Sequence, residues 1–230
     1  MEWFESYLNL IIWLTLVLPI VSFINYEKFD EVERKFVHYM TMLAVFEIIA
    51  FLLQQNFREL GWENSLPGHH LYTLCQYIFI TIFFYHLLKR YQINFPLQYF
   101  LWIGGLWIVV NSLFVQGFYM FNSYSTVGVE MIIIGFSMLY FLKVLLQRDI
   151  RKYERPISFF VGAVFFNAGM SVLIHLFSNQ LYAMDNVLAT IIVSTRVLIN
   201  LCTVFVMLWG VYLIVTRRGQ DPIQGHKSIS

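Results

Sequence analysis

The sequence predicts an all-α polytopic membrane protein of seven transmembrane helices, with the N-terminus outside and the C-terminus in the cytoplasm. Three observations carry this prediction. Of the 230 residues, 59% are hydrophobic and only 13% charged, and the mean hydropathy is +0.65, more apolar than an ordinary soluble domain. Seven apolar runs of roughly twenty residues, the length that crosses a ~30 Å hydrocarbon core, use up nearly the whole chain together with their short connections. Lysine and arginine concentrate in alternate connections between those runs, and the positive-inside rule places these connections in the cytoplasm.

The runs extend from about Tyr7 to Ile24, Phe36 to Gln54, Leu71 to Leu88, Leu97 to Gln116, Ser125 to Gln147, Ile157 to Phe177 and Val187 to Thr216. The first lacks a preceding Lys or Arg and follows Glu2 and Glu5, the wrong charge for a cleaved signal peptide, so it is expected to be retained. Its Pro19 should kink it. Cations follow the first run at Lys28, Arg34 and Lys35, the third at Lys89 and Arg90, and the fifth at Arg148, Arg151, Lys152 and Arg155. Glu27 to Lys35 alternates acids and bases and should be a solvated helical extension of the second run. On the opposite side, Gln55 to His70 holds Gly61, Trp62, Pro67 and Gly68 and is expected to be the longest outer loop and a lid. Residues 1–218 are expected to form one bundle, and 219–230 a disordered cytoplasmic tail.

Tyrosine and tryptophan recur near the predicted boundaries as an aromatic belt. Gly104, Gly105, Gly162, Ala163, Ala168 and Gly169 mark surfaces for the closest helix contacts. The two cysteines, Cys75 and Cys202, both fall inside runs; they support neither a disulfide framework nor a thiolate metal site and should be buried small hydrophobes.

Polar residues inside the runs carry the functional expectation. Arg196 stands in the seventh run, where its insertion costs roughly 2.5–3.5 kcal/mol, so it should face the protein interior. Glu130, Gln76 and His175 fall in the outer half of their runs, Glu47 and Asn167 near the middle. Thr126, Glu130 and Ser137 share a helix face, as do Arg196, Asn200 and Thr203, and Asn167, Ser171, His175 and Ser178 form a third stripe. Such faces can surround a wet cavity, with Tyr72 and Gln76 as a further wall. The simplest account has Glu130 or Glu47 pairing with Arg196 as buried glue. Unless one Glu is protonated, two carboxylates against one arginine leave excess negative charge, which suits a proton, a cation or an amine. His69, His70, His175 and Glu130 match no dedicated metal motif, so no metal is expected.

The topology resembles microbial rhodopsins and seven-helix receptors, but rhodopsins hold retinal on a lysine of the last helix and the run from Val187 to Thr216 has none. Transporters built from two three-helix repeats have the same number of spans, yet neither that repeat nor their proline-glutamine motif is present. Zinc hydrolases of the ceramidase and adiponectin-receptor kind need an aspartate, and no predicted run contains one. His70-Leu71-Tyr72-Thr73 resembles a segment of uncharacterised small bacterial seven-helix membrane proteins.

The expectation is therefore a receptor-like or sensory protein of the bacterial inner membrane. An outward-facing pocket of Glu47, Tyr72, Gln76, Glu130, Asn167, His175, Arg196 and Asn200 would bind a small polar or cationic ligand or protons. The basic connection at Arg148, Arg151, Lys152 and Arg155 would meet a signalling partner or anionic lipid. The alternative is a secondary transporter of a small solute coupled to protons or cations. No cofactor, nucleic acid or enzymatic activity is expected, because no nucleophile and base occur at a useful spacing.

Overall fold

The computed structural model describes residues 13, 15–60, 66–116, 122–146, 155–181 and 186–217. Among them are seven α-helices and no strand: α1 (Thr15–Ile24), α2 (Glu31–Leu60), α3 (Leu66–Arg90), α4 (Leu97–Val110), α5 (Ser123–Leu146), α6 (Arg155–Leu181) and α7 (Asn186–Arg217). Five of them, α3 to α7, are long and apolar enough to cross a bilayer. The chain is a helical membrane protein.

The other two differ for separate reasons. The described part of α1 is a short apolar helix. Helix α2 has 30 residues, about 45 Å at ~1.5 Å per residue, but its described side chains include Glu31, Glu33, Arg34, Lys35 and Glu47. It starts on a capping box: Glu33 N–H donates to Asp30 Oδ1 and Asp30 N–H to Glu33 Oε2, both at 2.9 Å, satisfying two otherwise orphaned donors. Glu33 is fully buried by this role, so the segment before the second apolar run is less solvated than its charges suggest. The long outer loop expected from Gln55 to His70 is mostly helix, since α2 runs to Leu60 and α3 begins at Leu66. Pro67 reads as a loop residue in sequence, yet the first turn of a helix tolerates proline because its N–H would have no partner there anyway.

Helix α2 packs on α3, α3 on α4 and α5, α5 on α6, and α6 on α7. Toward the end of the bundle where α2 and α6 begin and α3 finishes, aromatic rings close it: Phe36 of α2 stacks on Phe160 of α6 with centroids 4.4 Å apart, and tilts against Phe83 of α3 at 5.0 Å. All three are fully buried. Helix α4 lies at the edge. Only 17% of its apolar window is buried, against 39–44% for the other four span-length helices, and Trp102, Ile103, Leu106 and Phe114 stand exposed. A large apolar surface of this kind suits hydrocarbon as solvent.

Closest packing occurs at glycines only partly indicated by the sequence. A Cβ at Gly104 would collide with the ring of Tyr77, whose hydroxyl donates to the Phe100 carbonyl. Gly128 and Gly210, which the sequence did not single out, are also tight: a Cβ at Gly128 would collide with the ring of Trp107, and one at Gly210 would lie 2.6 Å from Phe160. Gly169 meets nothing within 4 Å and faces outward. Of the cysteines, both free, Cys75 is half-buried but Cys202 is exposed on α7, contrary to the buried position expected; a thiol is apolar enough to face lipid at little cost.

Candidate functional site

One face of each of six helices converges on a cavity of about 120 Å³. Helical spacing explains the lining. Tyr39, Leu43 and Glu47 on α2 and Tyr72 and Gln76 on α3 follow an i, i+4 rhythm, and Asn200, Thr203, Val204 and Met207 on α7 follow i, i+3, i+4, i+7. Helix α5 contributes Glu130 and Ile133, α6 Val164, Asn167 and Ala168, and α1 Thr15 and Leu18. Helix α4 takes no part.

Within the lining, hydrogen bonds already occupy several donors. Asn167 Nδ2 donates to Asn200 Oδ1 at 2.8 Å and to Thr203 Oγ1 at 3.3 Å, and Thr203 Oγ1 donates to the Ile199 carbonyl at 2.8 Å. The Tyr39 hydroxyl interacts with the Gln76 side chain. Glu130 is 5% exposed; its Oε1 lies 2.7 Å from Nδ1 of His175, also buried, while its Oε2 is buried without a hydrogen-bond partner among the described residues. Glu47, by contrast, is exposed.

The eight residues nominated from sequence therefore divide. Glu47, Tyr72, Gln76, Glu130, Asn167 and Asn200 line the cavity. His175 lies behind Glu130 and reaches the cavity only through that carboxylate. Arg196 is half-buried one helical turn before Asn200. Its charge acts on Glu47, Tyr72 and Glu130, but it forms no ion pair with either carboxylate. The direct glutamate–arginine pair considered from sequence is replaced by Glu130–His175, because α5 packs on α6 and brings the two side chains within 2.7 Å. The basic connection at Arg148, Arg151 and Lys152 and the tail from 219 lie outside the described residues, as does the side chain of Arg155.

A second polar cluster has no counterpart in the sequence reading. The end of α4 widens into a π-turn, Asn111–Val115. There Asn111 Nδ2 donates to Ser125 Oγ at 2.7 Å and Gln116 Oε1 at 3.1 Å, and Gln116 Nε2 donates to Ser123 Oγ at 2.8 Å. Ser112 Oγ donates to the Ile108 carbonyl at 2.8 Å and lies 2.7 Å from His70 Nδ1. Because the hydroxyl proton is committed to the carbonyl, the imidazole is the donor. The cluster ties the peripheral helix to α3 and α5. Polar residues crowding both sides of one short connection, Asn111, Ser112 and Gln116 before it and Asn122, Ser123 and Ser125 after, were the available signal.

Among the described residues no three His, Cys, Asp or Glu side chains converge as a metal site. Comparisons with protein-family models, curated proteins and solved structures find no match. The cavity's own chemistry is thus what bears on function: an apolar shell, bonded amides, two tyrosines and a buried carboxylate with one unused oxygen.

Proposed function

We propose that this chain is a receptor-like or sensory protein of the bacterial inner membrane, crossing it seven times with its N-terminus outside. It binds a small polar or cationic ligand, or protons, in the cavity around Glu130 and signals through a partner met at the basic connection Arg148 to Arg155. One observation carries the reading: the polar hollow touches six of the seven described helices. A ligand seated there contacts nearly the whole bundle, so any difference in its affinity for two helix arrangements shifts the balance between them. The alternating distribution of Lys and Arg supports the orientation, and the 30-residue length of α2 supports counting it as a span.

A second reading, a secondary transporter, draws on the cavity's reach. Along α7 it extends from Asn200 to Met207, about 10 Å at ~1.5 Å per residue, into the middle of the helix where transporters place their sites. Uptake by proteoliposomes separates the two. Accumulation of a solute driven by a proton or cation gradient refutes the receptor reading, whereas saturable binding without accumulation supports it. Reporter fusions after Arg90 and Thr216 should both report cytoplasmic; either one reporting outside refutes the orientation.

A further inference from the structure

We propose that the cavity's occupant is a small primary ammonium ion, anchored by the unused Oε2 of Glu130. The inference rests on reading the cavity as a ligand site and names the class of ligand.

The charge distribution is the first ground. The cavity is lined by two carboxylates, Glu47 and Glu130, and by no Lys or Arg. Arg196, half-buried one turn before Asn200, is bonded to neither, so with both groups ionised the hollow carries excess negative charge. A cation in the hollow completes the balance.

The hydrogen-bond inventory is the second. Asn167 and Thr203 have committed their donors to protein acceptors. Glu130 lines the cavity, and its buried second oxygen has no partner among the described residues, so that a turn of the carboxyl group would offer it to the hollow. A buried acceptor without a donor is destabilising, and a ligand rich in N–H groups removes that penalty. An ammonium is such a ligand, with three donors and no acceptor on the charged head. A quaternary ammonium carries the same charge but no N–H. Alkali-metal ions favour a cage of several oxygens, and among the described residues Glu130 offers a single buried unpartnered one.

Size and shape are the third. About 120 Å³ corresponds to roughly four waters at a share of ~30 Å³ each, enough for a short-chain amine and too little for a large metabolite. Tyr72 stands in the wall, and an aromatic ring attracts a cation over its face, while Ile133 and Val204 offer apolar surface to an alkyl chain.

Calorimetric titration of the purified full-length protein in nanodiscs tests the inference with methylammonium, tetramethylammonium, sodium and acetamide as probes. Methylammonium should bind saturably, and the other three at least tenfold more weakly. Glu130→Gln, which keeps a bonding partner for His175, should weaken methylammonium at least tenfold. Glu47→Gln, at an exposed position, should weaken it only a few-fold. Val204→Phe, filling the apolar side without touching either carboxylate, should block binding while leaving a monodisperse, cooperatively melting protein. Tetramethylammonium or sodium binding as well as methylammonium, or Glu130→Gln binding unchanged, overturns the ammonium assignment. Acetamide binding in place of methylammonium overturns that assignment alone and leaves the cavity as a ligand site. If none of the four probes binds, the ammonium assignment is overturned and the ligand-site reading loses its support.

Discussion

Replacing His175 with leucine isolates the contact on which the buried carboxylate depends. His175 Nδ1 and Glu130 Oε1 are 2.7 Å apart with both side chains almost fully buried, and Glu130 Oε2 already lacks a partner among the described residues. The leucine would leave both oxygens of one buried carboxyl group without a hydrogen bond. Leaving a buried hydrogen-bonding group without its partner costs about 1–3 kcal/mol, offset in part by the apolar contact leucine gains at a site this buried, about 1 kcal/mol. A net loss of up to about 2 kcal/mol remains. At ~2–4 °C per kcal/mol for a chain of this size, the melting temperature of the detergent-solubilised protein should fall by up to about 8 °C. The double variant Glu130→Leu/His175→Leu removes donor and acceptor together, so it should recover most of that loss, with a coupling of about 1 kcal/mol. Scanning fluorimetry of the wild type, both singles and the double reads this cycle. Additive effects, with coupling below ~0.5 kcal/mol, would show that the two side chains are neighbours without mutual support.

Gly210→Ala and Gly169→Ala should shift stability in opposite directions. At Gly210 the new methyl lies 2.6 Å from Phe160 Cε1, and Phe160 cannot yield because it is stacked on Phe36; overpacking of ~1–3 kcal/mol outweighs the ~1 kcal/mol helix gain of alanine. At Gly169 nothing is met, so only the gain of up to ~1 kcal/mol remains, and the reverse order of melting temperatures would refute the packing described. Asn111→Leu removes the hub of the polar cluster and leaves buried Ser125 without its donor, which should cost about 1–3 kcal/mol and increase hydrogen exchange across the π-turn; unchanged exchange would argue against its anchoring role. Asp30→Ala removes the cap of α2 and a 2.8 Å ion pair with Arg90. It should lower stability by about 1–2 kcal/mol, nearly all from the cap, so Asp30→Asn should retain most of it in the same melting assay.

The sequence by itself determined that this is a helical membrane protein, because apolar runs of bilayer length leave the backbone no other way to satisfy its polar groups. It also nominated Glu47, Tyr72, Gln76, Glu130, Asn167 and Asn200, since a polar group in an apolar run is costly enough to need a neighbour. What it could not supply was which neighbour. Periodicity places Glu130 and Arg196 on helix faces but says nothing of how those helices are ordered around the bundle; with α5 against α6, the carboxylate meets His175, and Arg196 is bonded to neither glutamate. The same limit hid the helical continuation through Pro67, the burial of Glu33 in its capping box and the tight approaches at Gly128 and Gly210. Each depends on what stands opposite in space, and only the tertiary packing of the helices decides that.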